Sequence, residues 1–283
     1  MTSSQQKIPP RTKVLIYAAL VLLSIPAILP LIWMVTTSFK TDTQIFGNTD
    51  LTVKSLFPAP FVTHNYPDAL KNMPFLLYLR NTMVLCISTV VGAVVSSATV
   101  AYGFARIKFP GRDFLFGLMI ATMALPGQVT MIPIFNLFRS LGWYGTYLPL
   151  IVPSFTASAY YVFLLTQFFR TLPVEMSEAA SVDGAGEGTI FLRLVLPLSK
   201  PALATCALFQ FIGTWNDFLG PLLYVNDPAK YPLGYGLQQF VSHYGGFYAQ
   251  LMAAATIFTL PIILLFFFAQ KTFIQGIATT GGK

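Results

Sequence analysis

Runs without a charged residue alternate with short polar stretches along this 283-residue chain. The runs cover 14–39, 81–105, 114–138, 140–169, 201–216 and 231–270. A helix needs about 20 apolar residues to cross a bilayer. The pattern therefore predicts six transmembrane helices, near 14–37, 80–104, 114–135, 149–169, 201–224 and 249–270, and an all-α, polytopic membrane protein. The longest polar excursion, 40–78, is rich in proline, asparagine and aromatic residues, and reads as a folded loop with turns and a short helix. The stretch "ARIKFPGRD" (105–113) is a tight, cationic Pro-Gly turn. The third run contains "ALPGQVTMIP"; its Pro126 and Pro133 each free a backbone carbonyl, so a kinked helix inside a bundle is expected there.

Composition agrees with the pattern. Only 10% of the residues are charged, against about a quarter in soluble domains. An even number of crossings puts both termini on one side. Lys and Arg are more numerous in the segments on that side, among them Lys13, Arg106, Lys108 and Arg112, and these segments are the shorter ones. The positive-inside rule then makes both termini cytoplasmic, and the net charge of +7 reflects topology instead of nucleic-acid binding. The first run is longer than the 7–15-residue core of a signal peptide and suits an uncleaved anchor. The expected organisation is a cytoplasmic tail (1–13), a first crossing with its outer loop (14–79), and a five-helix core (80–283). That core contains a cytoplasmic loop at 170–200 and a short cytoplasmic C-terminal tail.

One stretch of that loop stands apart. "LPVEMSEAASVDGAGEG" (172–188) holds four of the ten acids: Glu175, Glu178, Asp183 and Glu187. Pro173 is placed to begin a helix, and Glu175 and Glu178 put negative charge where the helix dipole favours it. Gly184 can take the left-handed conformation that stops a helix. A second short helix around 189–196 ends at Pro197. A helix this short is marginal alone in water, and Ala179 and Ala180 would let a neighbour approach closely. Glu175 and Glu178 share a face and suit a basic partner. The alternative is a solvated loop in which these acids act only as caps.

Glu178-Ala179-Ala180, three residues, Gly184, nine residues and then "LVLP" resembles the EAA loop of ATP-binding-cassette (ABC) importer permeases. Leu194 stands where that family often has isoleucine. "RNTMVLCISTVVGAVVSSATVAYGFARIKFPGR", "LPGQVTMIPIF" and "GTWNDFLGPLLY" resemble its carbohydrate branch, in particular the six-helix, maltose-type permease subunit. The resemblance covers most of 14–283 and is weakest at 40–78. It implies the type I ABC importer permease fold, in a multi-pass protein of the cytoplasmic (inner) membrane of a bacterium or archaeon. It further implies that Glu175, Glu178, Ala179, Ala180, Asp183 and Gly184 couple the chain to an ATPase. The implied partners are a second homologous permease, two ATP-binding-cassette ATPase subunits, an extracytoplasmic sugar-binding protein and membrane lipid. The implied function is binding-protein-dependent sugar import by alternating access, with an amino acid, polyamine, phosphate or peptide as the alternative solute.

The fifth predicted crossing, 201–224, carries the single acid expected inside a span. Gln210, Thr214, Asp217 and Pro221 recur at i, i+4, i+7 and i+11, one stripe of a helix. Asp217, with Asn216 and Trp215, reads as lining the translocation pathway or its outer gate, since aromatic faces and amides suit sugars. The competing reading makes Asp217 a cap and Trp215 an interfacial anchor.

Other motifs carry less. "DGAGEG" has neither the G-x-G-x-x-G nor the G-x-x-x-x-G-K-[ST] spacing, so ATP and Mg²⁺ are expected on the partner ATPase, with no cofactor held by this chain. Cys86 and Cys206, like His64 and His243, lack metal-ligand spacing. The tail "FIQGIATTGGK" resembles tails that reach the ATPase in some relatives. An integral-membrane enzyme would gather acids and histidines at a membrane face, and an ion-driven transporter would bury charges in several helices. Neither pattern is present, so the chain is read as a transport subunit and not an enzyme.

Overall fold

The computed structural model describes residues 9–47, 53–242 and 247–278; His243 and the last five residues of the tail lie outside the described residues. The elements are helices throughout: α1 (Pro10–Thr37), then α2 (Asp42–Gly47), α3 (Val53–Leu56) and α4 (Asn65–Asn72). The 32-residue α5 (Phe75–Arg106) follows, then α6 (Arg112–Thr122) and α7 (Gly127–Ser140). Next come α8 (Leu148–Ile151), a 3₁₀ turn at Val152–Thr156, and α9 (Ala159–Thr171). The polar loop holds α10 (Val174–Val182), α11 (Glu187–Ile190), a π-helical turn at Phe191–Val195 and α12 (Leu196–Leu198). The chain continues through α13 (Lys200–Trp215), α14 (Leu219–Tyr224), a 3₁₀ turn at Pro228–Lys230, α15 (Leu233–Ser242) and α16 (Tyr248–Ala278).

Four stretches among the described residues are long and apolar enough to cross a membrane: α1, α5, Leu148–Thr171 and Tyr248–Phe268. Two further candidates are bent pairs, α6 with α7 at 95° and Glu187–Leu198 with α13 at 78°, which make up to six spans if each pair counts once. The third run is therefore not one kinked helix. Pro126 lacks an N–H and pushes the preceding residue out of the helical region, so α6 stops and α7 restarts behind Pro126 (ψ 132°). Pro133 is tolerated inside α7. The fifth predicted crossing, 201–224, also stops early. Its helix ends at Trp215, because the Asn216 amide donates back to the Ile212 carbonyl (2.8 Å) and the Asp217 carboxylate accepts from the Gly220 N–H (3.0 Å). Such local bonds compete with helix continuation.

The chain forms two compact units. One comprises 1–73 and 239–259. Here α1 is exposed from Pro10 to Ile32, as expected of a helix without soluble packing partners. Beyond α1, residues 38–47 and 53–73 fold against one another. The buried Asn65 amide donates to the Ser38 and Lys40 carbonyls (both 2.8 Å), and the Phe39 and Phe61 rings stack at 4.6 Å. The Lys40 ammonium donates to the Ser55 carbonyl (2.7 Å) and lies 4.7 Å from the Trp33 ring; its burial pulls its pKa below the usual lysine value.

The second unit comprises 74–238 and 260–283, with α5 packed along α9 and α13. Helices in lipid gain little from hydrophobic exclusion, and small residues let them approach closely. Ala93, Ala98 and Ala101 of α5 are buried against Val162, Leu165 and Phe169 of α9 and Ala202 and Cys206 of α13. At Gly92 a Cβ would clash with Ser154 and Phe155. The irregular backbone near Ala157 (φ +64°) is stabilised from α5: the hydroxyls of Ser96 and Ser97 accept from the N–H groups of Ala157 and Ser158, both at 3.1 Å.

Candidate functional site

The polar loop has the helix, glycine and helix order expected of it. Pro173 precedes α10, and Gly184 follows it at φ +85°. The Ala185 N–H bonds the Ala180 carbonyl (2.9 Å) and the Gly184 N–H bonds the Ser181 carbonyl (3.0 Å), the paired bonds of a left-handed helix stop. Ala180 and Ala185 rest against the core, while α10 has no buried residue. Glu175, Glu178, Ala179, Asp183 and Gly184 are all exposed. So are Val174 and, at 87%, Val182. Among the described residues none of these acids forms an ion pair. The result is a nine-residue helix with acids and apolar side chains facing outward together.

The loop is fastened to the unit from α5. The Arg106 guanidinium donates to the carbonyls of Phe169 (2.8 Å) and Leu172 (2.7 Å). The Tyr102 hydroxyl donates to the Glu187 carboxylate (2.5 Å), and its ring lies 4.9 Å from that of Phe191. The sequence reading missed Tyr102, Arg106 and this use of Glu187. The available signal was the i, i+4 spacing of Tyr102 and Arg106 at a helix end.

A second feature lies about Asp217. A cavity of ≈ 260 Å³ is lined by Leu85 and Thr89 of α5, Leu150 of α8, and Gln210, Gly213, Thr214, Asp217 and Pro221. The Gln210 amide donates to the Thr214 hydroxyl (3.1 Å), which also pairs with the Thr89 hydroxyl (2.9 Å). Asp217 also lines a cavity of ≈ 360 Å³ against α7, with Gln128 and Thr130 in its wall. The stripe of Gln210, Thr214, Asp217 and Pro221 thus meets in one place although the helix expected to carry it is interrupted. Trp215 and Asn216 do not line the first cavity. The Trp215 indole is 1% exposed and stacks on Phe211 (5.5 Å), and Asn216 is turned back along α13 by its bond to Ile212. Asp217 is both a wall residue and a cap, because its carboxylate also holds the start of α14.

The family described as "Binding-protein-dependent transport system inner membrane component" matches residues 93–279, which include the whole polar loop and Asp217. The chain belongs to this family. As an ABC transporter permease it is a multi-pass inner-membrane transport component. It is 32% identical to the probable ABC transporter permease protein YurM of Bacillus subtilis, across 90% of this chain and 83% of that protein. It is 30% identical to the diacetylchitobiose uptake system permease protein NgcG of Streptomyces coelicolor, over 90% of this chain and 84% of the relative. The arabinooligosaccharides transport system permease protein AraQ of Halalkalibacterium halodurans is 31% identical, with 91% of each chain covered. A chain in the crystal structure of a bacterial ABC transporter involved in the import of the acidic polysaccharide alginate superposes with a TM-score of 0.78 at 22% identity. The superposition covers 94% of this permease and 99% of that chain, and shows a shared fold.

Proposed function

We propose that this permease forms part of the translocation pathway of an ATP-driven, binding-protein-dependent sugar importer. The observation that carries the reading is the exposed acidic helix α10, held by a left-handed Gly184 at the foot of a helix bundle with polar cavities. Permeases at 30–31% identity are named for diacetylchitobiose and arabinooligosaccharides, which supports a carbohydrate as the solute.

In this reading the 170–200 loop and both termini face the cytoplasm. Glu175, Glu178, Ala179, Ala180, Asp183 and Gly184 dock on an ATPase subunit, which holds the ATP and Mg²⁺. A second, homologous permease completes the pathway, two ATPase subunits drive it, and an extracytoplasmic binding protein delivers the sugar. Nucleotide and binding protein each favour one of two states, and that differential affinity sets the direction of transport. Gln210, Thr214 and Asp217 line the path, with Trp215 and Asn216 flanking it.

Two substitutions test the two parts. Glu178→Lys puts a cation on the docking face and is expected to abolish copurification of the ATPase while insertion into the membrane is kept. Normal assembly and uptake by that variant would remove α10 from the docking role. Asp217→Asn keeps an acceptor for the Gly220 N–H but discards the charge. We expect it to retain assembly and to slow uptake several-fold, the order of the difference between a charged and a neutral hydrogen bond. Unchanged uptake over a range of sugar concentrations would leave Asp217 a cap only.

A further inference from the structure

Arg106 and Tyr102 lie four residues apart on α5 and therefore on one face. Arg106 holds the backbone just before α10, at Phe169 and Leu172; Tyr102 holds Glu187, just after it. Both flanks of α10 are thus fastened to a single turn of one helix, while α10 itself has no fully buried residue and rests on the core at Ala180. Away from that turn, α5 carries other side chains that hold distant segments. Thr89 pairs with Thr214 in the wall of the cavity beside Asp217. Further along, the Asn81 amide donates to the carbonyls of Ala229 (2.9 Å) and Tyr231 (3.0 Å), and the Thr82 hydroxyl accepts from the Leu233 N–H (2.8 Å). At 1.5 Å per residue, α5 is about 48 Å long.

We propose that Tyr102 is a positioning residue whose bond to Glu187, together with the Arg106 clamp, makes α10 move as one body with α5. This rests on the reading of α10 as the ATPase docking helix. A displacement imposed on α10 then reaches Thr89 and the 229–233 segment through one continuous rod. The clamp's function is coupling: without it α10 still binds the ATPase, but its motion is lost between Leu172 and Glu187 and no longer reaches the cavity.

The test uses the complete transporter with its own partners, reconstituted in proteoliposomes, and reads sugar imported per ATP hydrolysed. Tyr102→Phe removes the donor, Glu187→Ala removes the acceptor, and Glu187→Gln keeps an acceptor oxygen. Losing one charged hydrogen bond corresponds to about tenfold, so Tyr102→Phe and Glu187→Ala are each expected to lower the ratio by about that factor. Copurification and the ATP hydrolysis rate stay near wild type, and Glu187→Gln recovers most of the ratio. The double variant Tyr102→Phe/Glu187→Ala should be no worse than either single one, since both remove the same interaction. A wild-type ratio in Tyr102→Phe, losses that multiply in the double variant, or a failure of all variants to assemble would each overturn the proposal. Glu178→Lys, run alongside, separates it from the reading beneath. If that variant assembles and transports normally, the docking role of α10 fails; if it loses the ATPase while Tyr102→Phe stays coupled, only the clamp fails.

Discussion

Gly220 occupies a place where an added Cβ would collide with the Asp217 carboxylate and approach Leu150 Cδ2 to 2.9 Å. Overpacking of this kind costs about 1–3 kcal/mol. Gly220→Ala is expected to displace Asp217 from the wall shared by the two cavities. Its uptake should therefore resemble that of Asp217→Ala more than that of Asp217→Asn, with protein levels in the membrane little changed. Gly184 is different, since nothing lies within 4 Å of its Cβ position and the constraint is its φ of +85°. A β-branched residue there faces a strain of about 1–3 kcal/mol. Gly184→Val should loosen α10 and reduce ATPase copurification, whereas Gly184→Asn should reduce it much less, because asparagine visits the left-handed region more readily. Of the residues at the two sites, those of the loop were readable in advance. Pro173, the acids and Gly184 are local signals for where a helix starts and stops. Tyr102 was not readable, because a tyrosine near the end of an apolar helix is ordinary until a carboxylate 85 positions away is found against it.

At the level of elements, apolar runs report that the chain enters a membrane but not whether it enters straight. The 114–135 stretch reads as one kinked span and 201–224 as one helix, yet the first breaks into α6 and α7 at a 95° bend and the second stops at Trp215. Pro126 and Asn216-Asp217 were visible as features, but their effect depends on whether neighbouring groups satisfy the freed backbone, and this is a tertiary matter. The 40–78 segment was read as folded from its turn residues; the structure adds that Asn65 holds it together. Asn65→Ala leaves two carbonyls without donors at a buried position. At about 1–3 kcal/mol for an unsatisfied group, the variant should become readily cleaved by protease between positions 40 and 64 under conditions in which the wild type is resistant. Equal resistance would show that aromatic packing around Phe39 is sufficient.

For the whole molecule, the orientation rests on the distribution of Lys and Arg, which thiol labelling can check directly. The native Cys86 and Cys206 are completely buried, so single added cysteines dominate the signal from a membrane-impermeant reagent. Phe57→Cys, in the 40–78 segment, should label in intact cells, and Lys108→Cys only after permeabilisation. Labelling of both from outside would overturn the six-crossing topology with its cytoplasmic termini. The general class was legible because bilayer thickness imposes run length, whatever the detailed packing. Where the runs meet was not legible, because contacts among alanines, glycines and serines leave no periodic signature.

The outward-facing length of α1 has a consequence for how this gene drifts. From Val14 to Leu31 the side chains are exposed, so as far as the packing of this chain goes, exchanges among leucine, isoleucine, valine and phenylalanine should be nearly neutral there. From Met34 to Lys40 the side chains are half-buried or buried, and tolerance should fall within two helical turns. A saturation scan would then draw a boundary across one uninterrupted helix. Composition alone would be inherited on one side of it, and individual residues on the other.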